Sequence, residues 1–422
     1  MDLEQLSPEL AEAVQNAGSP KDLDSILKKI LLLYNPVLAP GAQGYKLFTP
    51  DLDKAIPHVG EVLRLHDRPG AKSNENVCIV ASQFFQVGGH TRIAADISRL
   101  IGGARVTIIL TETYLNTPYG ALLQGRMDGI GLEHRAFILL KAPTMSERTM
   151  ELYSILCAIQ PTRIFLLNNH LDSCAVAATY PFRSITDFIH HCDHEPCLGA
   201  TLPYATHADP TYGVHHHCGV YGVSAIYSSM TVPGLDITMP PLRDSTGPLR
   251  LATCGHLKKY RYPGHFRWAD WAVACLQGHD AVMTHMGPVD EAFANEIRGS
   301  LTEAGIDPTR YSFVGPVASL RAELLRRGID VYISSAPETG GRANLEALSA
   351  RIPLLVPLDP NLPPLYRFDL PLSGWRSVER PDQMQCAIVE CAGLSVGLRS
   401  DTYTAELRSE LGRFEAFVLD AG

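Results

Sequence analysis

The chain lacks any apolar stretch long enough to cross a bilayer. None of its apolar runs reaches the roughly 18–20 residues that a spanning helix needs. The N-terminal sequence MDLEQLSPEL is acidic and polar, unlike the basic and then apolar start of a secretory signal. We therefore expect a cytoplasmic protein. Peripheral docking on a membrane is the alternative, although the first helix offers no cationic face for it.

Positive charge is also scarce. The 422 residues include 36 Lys and Arg against 45 Asp and Glu, which gives a formal net charge of -9. Binding to a nucleic acid depends largely on neutralising phosphates, so no nucleic-acid partner is expected, whereas a small anion held in a local pocket is allowed.

The ten cysteines contain no C-x-x-C pair and are expected to be reduced thiols. This length suits two or three globular domains.

Short apolar runs alternate with helical patterns from residue 75 to about residue 240. The runs are NVCIVASQF, ARVTIILTET, RAFILLKA, PTRIFLLNN and SITDFIHHCDH, and TRIAADISRLIGG and TMSERTMELYSILCAI have helical spacing. Strands that alternate with helices predict a parallel sheet, and continuous apolar runs are typical of strands covered on both faces.

The same pattern restarts after Thr238–Pro248, a segment rich in Pro, Gly and small polar residues that we interpret as a linker. The runs LRLATCG, DAVMTHMG, RYSFVG, DVYISSA and IPLLVPL predict strands. The stretches FRWADWAVACLQ, DEAFANEIRGSLTEAG, GRANLEALSA and TYTAELRSELGRFEAFVL predict helices.

The predicted fold is therefore α/β, with two doubly wound Rossmann-like domains that face a cleft. We assign residues 1–74 to a mostly helical N-terminal extension, 75–240 to the first domain, 249–400 to the second, and 401–422 to a C-terminal helix that crosses back to the first. Open α/β sheets bind ligands beyond the carboxyl ends of their strands, so the cleft is the expected site.

The stretch SSAPETGGRANLEALSARIPLL, Ser334–Leu355, leads from a strand through a Gly-Gly turn into a helix. Bare glycine amides at a helix N-terminus suit an anion such as a phosphate. The carboxylates of Glu338 and Glu346 would repel a phosphate but accept hydrogen bonds from hydroxyl groups. A phosphate flanked by hydroxyls describes a nucleotide sugar, although two glutamates in a loop and a helix are also common without any ligand.

Glu338 and Glu346 have the spacing E-x7-E, which resembles the C-terminal signature of the retaining GT-B glycosyltransferases. Three further segments resemble GT-B elements in the right order. They are Val87–Gly103, like the first glycine loop and helix; Leu251–Tyr260, like the opening strand of the second domain; and Gly305–Val317, like the strand before the donor site, also found in the protein-modifying relatives.

The resemblance implies a role for each matching position. Glu338 would lie beside the donor sugar, and Glu346 would hold the nucleotide ribose. The diphosphate would be bound by Lys258 or Lys259, by Arg342 and by the loop of Gly340 and Gly341. In the first domain the glycine loop contains Gly88, Gly89 and His90. GT-B relatives usually need no metal, so none is expected, and no cofactor beyond the donor.

A cluster of histidines follows the fifth predicted strand, in FIHHCDHEPCLG and then at His207 and His215–His217. Three interpretations stay open. Zinc is one, although the spacing matches no standard site. The second is proton transfer from an acceptor hydroxyl, for which we favour His194 and Asp193, with His90 as the second choice. The third is a set of hydrogen-bonded histidines that shape a loop. For His285 a core position is as plausible as a contact in the cleft.

The predicted function is a glycosyltransferase that moves a sugar from a nucleotide-diphosphate sugar, with UDP favoured, to an acceptor hydroxyl. The acceptor could be a glycan, a lipid-linked molecule, a protein or a small molecule, and retention without a metal is expected. The alternatives are a sugar-nucleotide 2-epimerase and a non-catalytic nucleotide-binding protein on the same fold. The N-terminal extension could support acceptor docking or a homo-oligomer.

Overall fold

The computed structural model describes residues 3–32, 50–69, 75–84, 89–102, 105–113, 131–132, 135–190, 196–210, 218, 222–232, 247–261, 266–278, 280–358 and 370–420. The chain divides into two compact units, Met1–Ser228 with Ala416–Gly422 and Ser229–Glu415. The predicted linker begins at Thr238, and its residues up to position 246 lie outside the described part of the structure. The domain limits derived from the sequence stay predictions.

The first unit contains one parallel sheet of seven strands in the order β3-β2-β1-β4-β5-β6-β7. The strands are β1 (Asn76–Ala81), β2 (Arg105–Leu110), β3 (Ala136–Leu139), β4 (Arg163–Leu167), β5 (Thr186–Ile189), β6 (Thr206–Asp209) and β7 (Ile226–Tyr227). Every residue of β1 and β2 after the first is buried, because both faces of the sheet are covered. The strand order reverses between β1 and β4, and the crevice at such a point is where open α/β sheets commonly bind ligands.

Six of the described α-helices belong to this unit: α1 (Leu3–Gln15), α2 (Pro20–Leu32), α3 (Pro50–Val62), α4 (Gly89–Ile101), α5 (Met145–Ile159) and α6 (Ser173–Thr179). The N-terminal extension, which was expected to be mostly helical, contains α1, α2 and α3. Helix α2 begins at Pro20 because proline suits the first turn of a helix. Leu27 and Val59 share one apolar core with Val80 and Leu166 of the sheet. The N-terminal helices are therefore part of the packed interior of the first unit.

The second unit repeats the pattern with six parallel strands in the order β10-β9-β8-β11-β12-β13. They are β8 (Leu249–Cys254), β9 (Ala281–Met286), β10 (Tyr311–Gly315), β11 (Val331–Ile333), β12 (Leu354–Pro357) and β13 (Trp375–Val378). The α-helices are α7 (Trp268–Leu276), α8 (Glu291–Glu303), α9 (Leu320–Arg327), α10 (Gly341–Ser349), α11 (Met384–Gly393) and α12 (Asp401–Leu419), of which the residues from Ala416 onward belong to the first unit. The α/β fold with two doubly wound sheets is confirmed.

Among the described strands and helices, the sequence patterns did not predict β6, β7, β13, α6, α9 and α11. Strand β7 has two residues and β6 reads THAD, so neither forms an apolar run. Strand β13 has a single buried residue, Val378. Within the part of the chain that the structure describes, no helix has both the length and the apolar character to cross a membrane.

Candidate functional site

The loop between β11 and α10 lies beside the end of β8, as expected for neighbouring strands of one sheet. The ammonium of Lys259 lies 3.2 Å from Oε1 of Glu338 and donates to the carbonyl of Thr339 at 2.8 Å. The Lys259 side chain is 20% exposed and that of Glu338 is 26% exposed. The two sequence-predicted residues therefore meet at the carboxyl edge of the second sheet. Lys258 belongs to the same short turn, but its side chain lies outside the described part of the structure.

The Gly-Gly turn forms the start of α10. Gly340 is the residue just before the helix, and Gly341 is its first residue. A Cβ atom on Gly340 would lie 3.3 Å from Cβ of Ala343, a tight contact, whereas its φ of -108° is ordinary. A side chain at position 340 would therefore require a small shift of Ala343. The first turn of α10 leaves backbone N–H groups that can bind an anion.

Glu346 lies one turn further along α10 and is held on two sides. Its Oε2 accepts from the backbone N–H of Arg321 at 3.1 Å, and Oε1 lies 3.4 Å from Nε of Arg342. The exposed fractions are 17% for the Glu346 side chain and 10% for that of Arg342. The first turn of α9, which supplies the Arg321 N–H, was not predicted from the sequence.

Cys254, the last residue of β8, is a second residue that the sequence analysis missed. Burial and, to a smaller degree, the charge of Glu346 raise the pKa of its thiol to about 12, while the charge of Lys259 opposes this rise. The thiol is therefore within electrostatic range of two residues of the predicted site. Strand β8 reads LRLATC, and nothing in this pattern indicates that its last residue, Cys254, lies near the predicted site.

The carboxyl ends of β8 and β9 approach so closely that one position requires glycine. Gly287 has φ of +121°, and a Cβ atom there would lie 2.1 Å from the carbonyl oxygen of Gly255. The N–H of Gly287 donates to the carbonyl of Gly315 at 2.8 Å. This contact fixes the start of the turn that leads to Lys259.

His285 belongs to the core under this turn. Nε1 of Trp268 donates to the hydroxyl of Tyr311 at 2.9 Å, and that hydroxyl lies 2.8 Å from Nδ1 of His285. The His285 ring is 0% exposed, and burial lowers its pKa to about 3. The ring is neutral and structural, so the open question about His285 is decided in favour of the core.

In the first unit, Gly89 and His90 begin α4 at the carboxyl edge of the sheet. Nε2 of His90 donates to the carbonyl of Gln83 at 2.6 Å, which folds the ring back onto the end of β1. Gly88 lies outside the described residues.

The described part of the histidine cluster consists of one linked pair. Nε2 of His190 lies 3.0 Å from Nδ1 of His207, and Nε2 of His207 lies 2.7 Å from the carbonyl of Leu202. Asp193, His194 and His215–His217 lie outside the described residues, so their roles stay predictions. Among the residues that are described, no group of three or more His, Cys, Asp or Glu side chains could hold a metal ion.

Comparison with family models and with curated proteins gave no match. Solved structures do match. A glycosyltransferase from Rickettsia africae has a TM-score of 0.60 and 11% identity over 83% of this chain and 100% of its own. The lipopolysaccharide outer core galactosyltransferase WaaB has a TM-score of 0.55 and 15% identity over 81% and 95%. HepE from Anabaena, solved with UDP and glucose, has a TM-score of 0.54 and 13% identity over 82% and 95%.

These structural matches establish the fold. The chain has the GT-B fold, with two doubly wound parallel sheets, as the sequence resemblance predicted. A putative UDP-N-acetylglucosamine 2-epimerase from Listeria monocytogenes matches at a TM-score of 0.52 and 11% identity, over 83% of this chain and 98% of its own. The same architecture therefore serves two reaction classes among the matched structures.

Proposed function

We propose that this chain transfers a sugar from a nucleotide-diphosphate sugar to an acceptor hydroxyl, with a UDP-sugar as the favoured donor. The observation that carries the proposal is the convergence of Lys259, Glu338, Arg342 and Glu346 on the first turn of α10. The choice of UDP rests on HepE, whose structure holds UDP and glucose.

The diphosphate would bind at the start of α10. The N–H groups of the first turn of α10, the ammonium of Lys259 and the guanidinium of Arg342 supply positive charge there. Because Lys259 lies 3.2 Å from Glu338, it would reduce the repulsion between that glutamate and the phosphates. Removing a single preorganised donor of this type typically costs about 2.7–4 kcal/mol of transition-state stabilisation. These groups can stabilise the departing diphosphate without a metal.

Glu346 would bind the ribose. The backbone N–H of Arg321 holds one of its oxygens, and a carboxylate has about four acceptor positions, so it can still accept from two ribose hydroxyls. Glu338 would accept from a hydroxyl of the transferred sugar. The proton of the acceptor would pass to the histidine cluster, with Asp193 and His194 as our first choice. Retention is inferred from the E-x7-E spacing alone.

Release of nucleotide tests the proposal. Wild type and Glu338→Gln are incubated with UDP-, GDP-, CMP- and dTDP-sugars, with a chelator present and absent. Glu291→Gln, on the exposed first turn of α8, is the matched control. We expect slow release from one donor that Glu338→Gln reduces about 100-fold and the control leaves unchanged. Release that Glu338→Gln does not reduce would contradict the assignment of the site.

A 2-epimerase is the second candidate, because the Listeria structure has the same fold. An epimerase needs no acceptor and converts the donor sugar without net loss of donor. Appearance of a C2-epimeric UDP-sugar, with no release of the nucleotide, would favour it. Tight UDP binding with neither reaction would favour a non-catalytic nucleotide-binding protein.

A further inference from the structure

Tyr260 directly follows Lys259 in the turn after β8 and belongs to the core of the second unit. It is 2% exposed. Its ring lies 4.7 Å from that of Trp268 and 4.6 Å from that of His285, measured between centroids. Its hydroxyl lies 2.9 Å from Oγ1 of Thr253, a residue of β8 that is 0% exposed. Tyr260 thus ties the end of the turn back onto the strand from which the turn leaves.

The contact between the Tyr260 and Thr253 hydroxyls fixes a position more than it adds stability. Two buried hydroxyls that satisfy each other add little net stability, since two apolar groups of the same shape can be nearly as stable. A hydrogen bond nevertheless has a preferred length and direction. The contact therefore sets where the Tyr260 ring lies along β8, and the backbone of Lys259, one residue earlier, is set with it.

Gly255, at the start of the same turn, is the point where the turn meets the loop after β11. A Cβ atom on Gly255 would lie 3.0 Å from the Tyr260 ring and 3.2 Å from Cβ of Ser335 in that loop. Any larger residue would therefore require the Tyr260 ring or Ser335 to shift. The turn with Lys259 and the loop after β11 are thus packed directly against each other.

Ser335 extends this packing to the other partner of the ion pair. Its Oγ donates to the carbonyl of Glu338 at 2.9 Å. The same Oγ lies 3.6 Å from the place that a Cβ atom on Gly340 would occupy, just before α10. The distance between the Lys259 ammonium and the Glu338 carboxylate therefore depends on how the two loops pack, as well as on the attraction between the two charges.

The end of the turn is also held at the surface of the second unit. Arg261 follows Tyr260 and donates from its two terminal nitrogens to the two carboxylate oxygens of Asp290, each at 2.8 Å. Asp290 is the N-cap of α8 and accepts from the N–H of Phe293 at 2.8 Å. A bidentate pair of this kind has a defined geometry. The chain just after Lys259 is thus fixed from the core side by Tyr260 and from the surface side by Arg261.

We propose that Tyr260 is a positioning residue for Lys259, and that Gly255 and Ser335 hold the turn against the loop with Glu338. Misplacing a group by about 1 Å can cost roughly 10²-fold in rate, so the place of the ammonium matters as much as its charge. This inference rests on the proposed glycosyl transfer. There the bond between the anomeric carbon and the diphosphate breaks, its electrons stay on the diphosphate beside Lys259, and the acceptor oxygen bonds to the carbon and loses its proton.

Removing only the Tyr260 hydroxyl tests the positioning role. Tyr260→Phe keeps the ring and its packing and loses the contact with Thr253. The measurements are kcat for UDP release from an equimolar mixture of UDP-glucose, UDP-galactose and UDP-N-acetylglucosamine, and the Kd for UDP and for uridine. We expect kcat to fall and UDP binding to weaken by about 10-fold each, because the ammonium no longer sits where the diphosphate binds. The Kd for uridine, which has no phosphate for Lys259 to bind, should not change.

Tyr403→Phe is the matched control. Tyr403 is also 2% exposed, and its hydroxyl donates to the carbonyl of Leu348 near the C-terminal end of α10, at 3.3 Å. Both variants lose one buried tyrosine hydroxyl, so we expect their thermal unfolding temperatures to change by similar amounts. Only Tyr260→Phe should lower kcat and weaken UDP binding.

A double variant separates positioning from a general loss of structure. Lys259→Met removes the positioned ammonium, so adding Tyr260→Phe to it should weaken UDP binding no further. Gly255→Ala, which pushes the turn and Ser335 apart, should weaken UDP binding when Lys259 is present and not when it is replaced. Ser335→Ala, which loses the bond to the Glu338 carbonyl, is the milder variant if Gly255→Ala does not fold.

Each outcome decides between two claims. Wild-type kcat and wild-type Kd for UDP in Tyr260→Phe, an equal loss of UDP and uridine binding, or effects of Tyr260→Phe and Lys259→Met that multiply would overturn the positioning role and leave the proposed function intact. A wild type that neither binds UDP nor releases it would overturn the proposed function and the positioning role together.

Discussion

Lys259 and Glu338 form an ion pair of 3.2 Å between the turn after β8 and the loop after β11. About four-fifths of the Lys259 side chain is buried. Solvent and salt therefore screen the attraction between the two charges less than they would in a surface pair. It places a cation at the start of α10 and keeps a carboxylate beside it available for hydroxyl groups. A nucleotide sugar needs both, since its diphosphate is anionic and its sugar carries hydroxyls.

Lys259→Met should lower kcat for nucleotide release by about 10²–10³, because one charged donor to the leaving diphosphate is lost. The methionine keeps most of the apolar stem, so thermal unfolding should change little. Lys54→Met, which removes an exposed lysine paired with Asp51, is the control and should have no effect on kcat. Equal kcat in Lys259→Met and wild type would exclude Lys259 from the diphosphate site.

Glu346→Gln should weaken UDP binding by roughly 10- to 100-fold. This is the loss expected when a hydrogen bond to a charged group, which contributes about 1.5–3 kcal/mol, is removed. The loss should disappear with 2′,3′-dideoxy-UDP, which lacks both ribose hydroxyls. Calorimetric titration of wild type and variant with both nucleotides measures this coupling. An equal loss for the two nucleotides would mean that Glu346 does not contact the ribose.

Gly287→Ala should lower the free energy of unfolding by at least about 1–3 kcal/mol, because φ of +121° disfavours a side chain and the Cβ atom would overlap Gly255. Gly299→Ala is the matched control. Gly299 lies within α8 with nothing near its Cβ position, so alanine there should stabilise by about 0.5–1 kcal/mol. Urea unfolding of both variants checks the contrast, and equal effects would contradict the close approach at Gly287.

Asp53 should make stability fall as pH rises from about 4 to 6. Burial raises its pKa from 3.8 to about 6 in the folded chain, so the unfolded chain releases this proton first. Stability from this group is complete below the unfolded pKa and is lost as pH rises through the folded value. The loss is about 3 kcal/mol, at about 1.36 kcal/mol per pKa unit. The difference in unfolding free energy between wild type and Asp53→Asn measures it, and a difference that is constant with pH would contradict it.

The sequence predicts the fold well because the central strands are continuous apolar runs. NVCIVA and RVTIIL can hardly form anything but buried strands, and their order along the chain implies parallel pairing. The pairing of β8 with β11 then places Lys259 near Glu338 without further information. For Lys259 and Glu338, the local sequence pattern and the order of the strands suffice to predict that they lie close together.

Contacts that depend on three-dimensional packing were beyond the sequence. His190 and His207 are 17 positions apart; His190 follows the end of β5, and His207 lies on β6, which has no apolar pattern. The bonds from Asp53 to Thr201 span 148 positions. The approach of the Arg321 N–H to Glu346 depends on how α9 packs on α10. None of these pairs has a spacing that marks it in the sequence.

A crystal structure of the chain with UDP tests the central claim most directly. We predict that the diphosphate contacts the ammonium of Lys259 and the N–H groups of the first turn of α10, and that the ribose hydroxyls bind Glu346. UDP bound elsewhere in the molecule, or a ribose that does not contact Glu346, would contradict the account.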